Sequence, residues 1–302
     1  MSVVELESRE VALEAPSGLW RDAWRRLRRN VGALIGFGLV ALFVFVAVAA
    51  PLIAPFDPLA QDLPALQGRC CPGPSGDHLF GLDQLGRDEF SRVVYGARYS
   101  LVIGVVSVAV GLSFGLLLGA IAGYFGRVAD TLIMRLMDIW LSIPGLLLAI
   151  GIVAMLGPGL FQIMVAVGAT QVPIFARLLR GSILAQREND FVLAARAIGV
   201  PRRTILAAHI LPNAISPVIV QGTLAMATAI IDVAGLGFLG LGPQDPSTPE
   251  WGTMLTETTR YLQTAPHLAI IPGIAIVVSV LGFNLIGDGL REALDPKLRG
   301  RA

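Results

Sequence analysis

Lysine is almost absent from this sequence: Lys297 stands alone and is followed by Leu298. A phosphate-cradling loop of the G-x-x-x-x-G-K-[ST] type needs its lysine on the phosphates and its hydroxyl on the metal, so the chain contains no such loop. Any ATP drive has to come from another polypeptide. Histidine is nearly as scarce. His78, His209 and His267 fall far apart in the predicted topology, and neither a zinc cluster nor a proton relay is evident among them. The two cysteines, Cys70 and Cys71, are adjacent, which makes no metal site. On an oxidising face they can pair with each other, pair with another chain or stay free. Charged residues reach only 15%, and no cytoplasmic carboxylate pair suggests hydrolysis. The chain reads as one with no catalytic residues, metal or cofactor of its own.

What the sequence has instead is apolar length. Hydrophobic residues make up 54% and the mean hydropathy is +0.70, far from the mix of a soluble domain. Charge-free runs cover 31–56, 99–126, 139–176 and 267–287, each at least the roughly 20 residues a helix needs to cross the hydrocarbon. The run 139–176 contains Gly157-Pro158-Gly159 and splits there into two helices joined by a tight turn. A further apolar segment, 214–241, carries a single charge, Asp232. The expected fold is all-α, a polytopic membrane protein with six transmembrane helices. Basic residues orient it. With the N-terminus inside, only Arg69, Arg87, Arg92, Arg98 and Arg260 of the 23 basic residues fall outside, so both termini are expected in the cytoplasm. Topology accounts for the arginines, and a net charge of +1 gives no reason to expect a nucleic-acid partner.

Residues 1–30 read as a cytoplasmic tail that ends in LWRDAWRRLRRN, an amphipathic segment expected on the inner membrane surface. Residues 31–56 form the first span, too long for the roughly 7–15-residue core of a signal peptide. An outer loop follows at 57–98, with His78 alone in it, and ends in GLDQLGRDEFSRVVYGARYS, expected as a short amphipathic helix. Residues 99–302 hold the remaining spans and a cytoplasmic loop at 178–212. In the second span Gly104, Gly111, Gly115, Gly119 and Gly123 recur mostly at four-residue spacing. Such a stripe allows close approach of another helix, inside this chain or in another subunit. Pro144 is expected to kink the third span. Asp232 should face a protein or water-filled interior, either on a substrate path or as a hydrogen-bonded structural group.

The stretch Asp190–Pro217, DFVLAARAIGVPRRTILAAHILPNAISP, reads as two short helices outside the membrane. Asp190 can cap the first. Gly199 stands where a helix end needs positive φ, and Pro201 stops continuation and suits the start of the next helix. Phe191, Ala194, Ala195 and Ile198 fall at i, i+3, i+4 and i+7, an apolar stripe on which the alanines allow close approach. Such a segment is either a knob that a partner grips or an amphipathic helix lying on lipid. His209, at a helix end before Pro212, reads as a structural residue.

Leu193-Ala194-Ala195, then Gly199, then Leu211-Pro212, resembles the EAA loop of bacterial ABC importer permeases, with the glycine-to-proline spacing intact. FGLDQLGRDEFSRVVYGARYSL, HILPNAISP, GFLGLGPQDPSTPEWGTML and LIGDGLREALDPKLR are similar to the second permease of dipeptide/oligopeptide-type importers. The resemblance covers nearly the whole chain from about residue 20. It implies a type I ABC importer permease fold, with a homologous permease subunit, two ATP-binding subunits that carry ATP and Mg, and an extracytoplasmic peptide-binding protein as partners in a bacterial inner membrane. It also implies a coupling helix with Phe191, Ala194, Ala195, Ile198, Gly199 and Pro212 at the docking site, and Arg196, Arg202 and Arg203 as polar contacts to the ATPase. The motif's usual glutamate is Leu193 here. A second family glutamate aligns with Val233, one residue after Asp232, and a one-residue shift turns a helical side chain by roughly 100°, so its role is not carried over. Nickel-chelate and glutathione importers share these motifs; an ion-coupled carrier or a membrane scaffold are the readings from other classes.

Overall fold

The computed structural model describes residues 19–66 and 70–294. The tail 1–18, Arg69 and the basic end from Asp295 lie outside them. In chain order the long helices are α1 (Leu19–Leu27), α2 (Val31–Ile53), the short α3 (Leu63–Leu66), α4 (Glu89–Phe125), α5 (Arg127–Leu141), α6 (Gly145–Leu156) and α7 (Leu160–Arg187). Then come α8 (Asp190–Ala197), α9 (Arg202–Thr204), a π-helical turn (Ile205–Ile210), α10 (Leu211–Ala214) and α11 (Ser216–Leu236) with a π-helical end (Gly237–Leu241). Two more close the chain, α12 (Trp251–Thr258) and α13 (His267–Leu294).

The expected glycine stripe fixes the centre of the molecule. A Cβ on Gly111 would stand 2.6 Å from Gln171 Cβ, one on Gly115 2.5 Å from Phe175 Cβ, and one on Gly123 3.0 Å from Ile183 Cβ. The contact is therefore internal, between α4 and α7, whose backbones approach as small residues permit in a medium that gives no hydrophobic drive. Residue numbers rise together along both helices, so α4 and α7 run parallel. The chain between them has to cross back. It does so through α5 and α6, a pair bent by 90° at their junction. With α2, α4, α7, α11 and α13, each long and apolar enough to span, this gives six crossings.

Pro144 does more than kink the third span. It lies outside both helices, as the N-cap of α6. A proline offers no N–H to the preceding turn and disfavours helical backbone at the residue before it, here Ile143, so the ladder stops at Leu141. The Gly157–Gly159 turn separates α6 from α7 as its composition demands, with Gly157 at φ 88°.

α13 packs antiparallel on α2, where a Cβ on Gly36 would meet the Gly282 carbonyl at 2.8 Å. Asn30 caps α2 by accepting from the Ala33 N–H at 2.8 Å, and its Nδ2 donates to Glu292 on α13. α1 buries Ala23 and Leu27 against Ala33 and Ala293, which holds it to the same end of the bundle. The amphipathic helix expected before the second span is the first part of α4 itself, continuous from Glu89 and capped by Asp88, which accepts from the Ser91 N–H.

Candidate coupling site and ion cluster

α8 begins one residue earlier than expected: Asn189, with extended φ −74° and ψ 145°, is its N-cap and Asp190 its first residue. Its C-terminus closes as the glycine predicts. Gly199 has φ 80°, its N–H donates to the Arg196 carbonyl, and the Val200 N–H donates to the Ala195 carbonyl, both at 3.0 Å. These are the paired bonds of a Schellman end.

Not all of the expected stripe faces outward. Val192 is 0% and Ala195 6% exposed, and both belong to the core built from α7, Ile205, Ile210 and Val218. Ala195 anchors the helix to its own chain and so lies off its outward face. The outward surface is Phe191, Leu193, Ala194, Ala197 and Ile198, with Ile198 81% exposed. Leu193, which stands where the motif's acid would be, extends that apolar face. Arg196 and Arg202 line a cavity beside α8, whereas Arg203 is exposed outside that lining.

Beyond Pro201, the N-cap of α9, the helix widens into the π turn before exposed Pro212. Pro212 cannot donate to the carbonyl four residues back and its ring would collide with it. The wider turn relieves both, and the Leu211 N–H reaches back to the Leu206 carbonyl. π-helical turns of this kind recur at functional sites. The His209 carbonyl accepts from Asn213 Nδ2 at 2.8 Å.

Asp232 is half-buried on α11, and no ion pair or hydrogen bond to its carboxylate occurs among the described residues. One string in the sequence, Gly111-Leu112-Ser113-Phe114-Gly115, has the spelling of a serine nucleophile elbow. It lies mid-helix in α4, and the Ser113 hydroxyl donates to the Ala109 carbonyl at 2.7 Å. An elbow needs a sharp strand-to-helix turn, so this serine is a helix residue.

The end of the bundle opposite α8 holds a cluster that sequence reasoning missed. Asp83 Oδ2 accepts from Arg87 Nε at 2.6 Å and lies 3.3 Å from Arg92 Nη1. Glu257 Oε2 accepts from both arginines, at 2.8 and 2.7 Å. Asp83, Arg87 and Arg92 are buried, so these are desolvated charges held by mutual bonding. His78 is not alone: its Nδ1 lies 3.0 Å from Asp88 and its ring stacks on Phe56. Cys70 and Cys71 are paired with each other. Buried Trp251 on α12 donates from Nε1 to the Val93 carbonyl of α4. Glu250 caps α12 by accepting from the Gly252 and Thr253 N–H groups at 2.8 and 2.9 Å. Burial pushes its carboxyl above the ordinary range, against the pull of those donors. The signal for this cluster was available in kind, since charge retained beside an apolar span needs a partner; which partner was not.

Comparison with known proteins adds to this geometry. Residues 115–300 match the family of binding-protein-dependent transport system inner membrane components, and residues 18–68 match the N-terminal transmembrane domain of oligopeptide transport permease C. The chain is 48% identical to the dipeptide transport system permease protein DppC of Alkalihalophilus pseudofirmus, over 93% of this chain and 90% of that one. It is 45% identical to the di/tripeptide transport system permease protein DppC of Pseudomonas aeruginosa, over 96% of each. It is 47% identical to the glutathione transport system permease protein GsiD of Escherichia coli, over 93% and 91%. Among solved structures, the inward-facing MetNI methionine ABC transporter shares the fold with a TM-score of 0.56 at 21% identity, over 68% of this chain and 96% of that one. With no phosphate loop of its own, six crossings and an anchored helix presented at one end, the chain belongs to the family of inner membrane components of binding-protein-dependent transport systems.

Proposed function

We propose that this chain is one of two permease subunits of an ATP-driven importer of di- and oligopeptides in a bacterial inner membrane, with both termini cytoplasmic. Two ATP-binding subunits that carry ATP and Mg, and an extracytoplasmic peptide-binding protein, complete the complex. The observation that carries the reading is α8: an outward apolar face on a helix whose other face is locked into the core of its own chain. A lipid-surface helix needs the outward face but not the lock. A lever needs both, because a docked partner's displacement has to be passed on as a rigid movement. ATP then shifts the two access states by its differential affinity for them.

The polar docking contact on the outward side is Arg203, with Arg196 and Arg202 at the cavity rim. Replacing Ile198 with alanine should weaken retention of the ATPase subunits about fivefold, the effect of roughly 1 kcal/mol lost from a contact surface. Co-purification at the wild-type ratio would remove α8 from the interface.

Asp232 belongs to the translocation path in this reading, because an unpaired carboxylate in an apolar span is tolerated where it faces water or a partner. Asp232→Asn should change uptake of cationic relative to neutral peptides while leaving ATPase activity in place. Uniform uptake across peptides of different charge would make the carboxylate structural. A glutathione importer is the second reading, supported by the likeness to the glutathione permease; competition between labelled dipeptide and glutathione for uptake separates the two.

A further inference from the structure

The cavity beside α8 has a volume of about 690 Å³. Its wall brings together Arg127 from the start of α5, Arg187 from the end of α7, Arg196 from α8 and Arg202 from α9, with one carboxylate, Asp130. That carboxylate is already taken. Arg180 binds it through both nitrogens, Nε to Oδ1 at 2.9 Å and Nη2 to Oδ2 at 2.6 Å. Arg187 donates one bond to the Gly123 carbonyl at 3.1 Å. No carboxylate lies within ion-pair distance of Arg127, Arg187, Arg196 or Arg202 among the described residues. Four arginines thus line a space whose one carboxylate is already paired with Arg180. Arg127 is also the one described residue other than glycine with positive φ, at 45°, a backbone state that persists only where the surroundings hold it.

Depth decides what fills the space. α4 enters the apolar region at Tyr99, and about 20 residues bring it to the far edge of the hydrocarbon near Gly119. Tyr124 and Phe125, which line the cavity and pack edge to face at 4.9 Å, lie roughly 7 Å beyond that edge. This is headgroup depth, where aromatic side chains gather. α8 lies further from the bilayer, so the cavity sits between the docking face and the lipid. An arginine fork matches phosphate oxygens two at a time.

We propose that this cavity binds the phosphodiester headgroup of an anionic phospholipid from the leaflet on the α8 side. The lipid bridges α5, α7 and the coupling segment, and supplies the negative charge that the chain omits. Free phosphate presents the same oxygens, and a carboxylate of the ATPase would meet the same arginines, so the test has to separate all three.

The complete transporter, stripped of endogenous lipid, is titrated with phosphatidylglycerol or phosphatidylcholine and the bound lipid is counted by native mass spectrometry. The wild type should prefer phosphatidylglycerol. The double variant Arg127→Gln/Arg187→Gln should lose roughly 30-fold of that preference, the worth of two basic side chains beside an anionic lipid. Arg127→Lys/Arg187→Lys should keep most of it, which controls for folding, and Arg291→Gln, exposed on α13 and outside the cavity, should keep all of it. An equal loss with Arg291→Gln would mean a diffuse basic surface and overturn the site. Displacement of the lipid by millimolar inorganic phosphate would reassign it to a free anion and overturn the lipid. Lipid bound only after removal of the ATPase subunits would assign the arginines to a protein carboxylate. Lipid counting involves neither transport nor ATP, so a negative result leaves the docking reading of α8 standing.

Discussion

Replacing Gly199 with valine should cut peptide uptake more than tenfold and detach it from ATP hydrolysis, with the protein still assembled in the membrane. The reason is conformational. At φ 80° a β-branched residue is an outlier, and holding it there costs on the order of 1–3 kcal/mol. Nothing lies within 4 Å of the place a Cβ would occupy, so bulk alone is harmless. The strain is relieved by abandoning the bonds from Gly199 to Arg196 and from Val200 to Ala195, which swings Ile198 out of the docking face. A graded series follows: asparagine, which tolerates the left-handed region, should be mildest, alanine intermediate and valine worst. Uptake, ATPase activity and membrane abundance of the three variants check it. Valine at wild-type uptake would show that the helix end plays no part in coupling.

Arg92→Leu should lower stability by about 3 kcal/mol, the lower end of the range for breaking a buried ion pair, because Glu257 is partly open to water. The loss comes less from the missing attraction than from Asp83, which stays buried with Arg87 as its remaining partner. Arg92→Leu/Glu257→Leu should therefore recover part of the loss, since it removes the second carboxylate that Arg87 would otherwise have to balance alone. Thermal unfolding of Arg92→Leu, Glu257→Leu and the double variant, compared with the wild type as a double-mutant cycle, measures this. Additive losses would mean that the two side chains do not share a network. The expected damage is local to the end opposite α8, so ATPase retention should be unaffected in membranes where the variant accumulates.

Features with a local cause were legible in the sequence. Gly199 and Pro201 announce a helix end because one tolerates positive φ and the other has no N–H. The Gly157-Pro158-Gly159 turn and the long apolar runs are signals of the same kind. The α4 stripe predicts a close contact but not its owner, because small residues look alike whether they meet Phe175 in the same chain or a neighbour. Periodicity puts Ala195 on the apolar stripe without saying which of the stripe's edges turns inward; burial of Val192 beside it rotates the outward face toward Leu193 and Ala197. Pro144 was read as a kink because the sequence does not say whether the ladder resumes in the same direction. The Arg92–Glu257 bond joins residues 165 apart, a pairing that no local pattern carries. The arginine cavity escaped for a related reason, as each arginine is accounted for singly by topology.

The parallel course of α4 and α7 has a mechanical result. α8 hangs from the end of α7, Arg187 ties that end to Gly123 of α4, and the glycine contacts leave no room for sliding between the two. α4 is one unbroken helix of 37 residues, about 55 Å long, and its far end carries Arg92 and the Trp251 contact. In the proposed reading, a push delivered at α8 would move a pair of spans joined like a connecting rod. The Arg92–Glu257 bond at the other end would then carry that stroke to α12 without any flexible relay between.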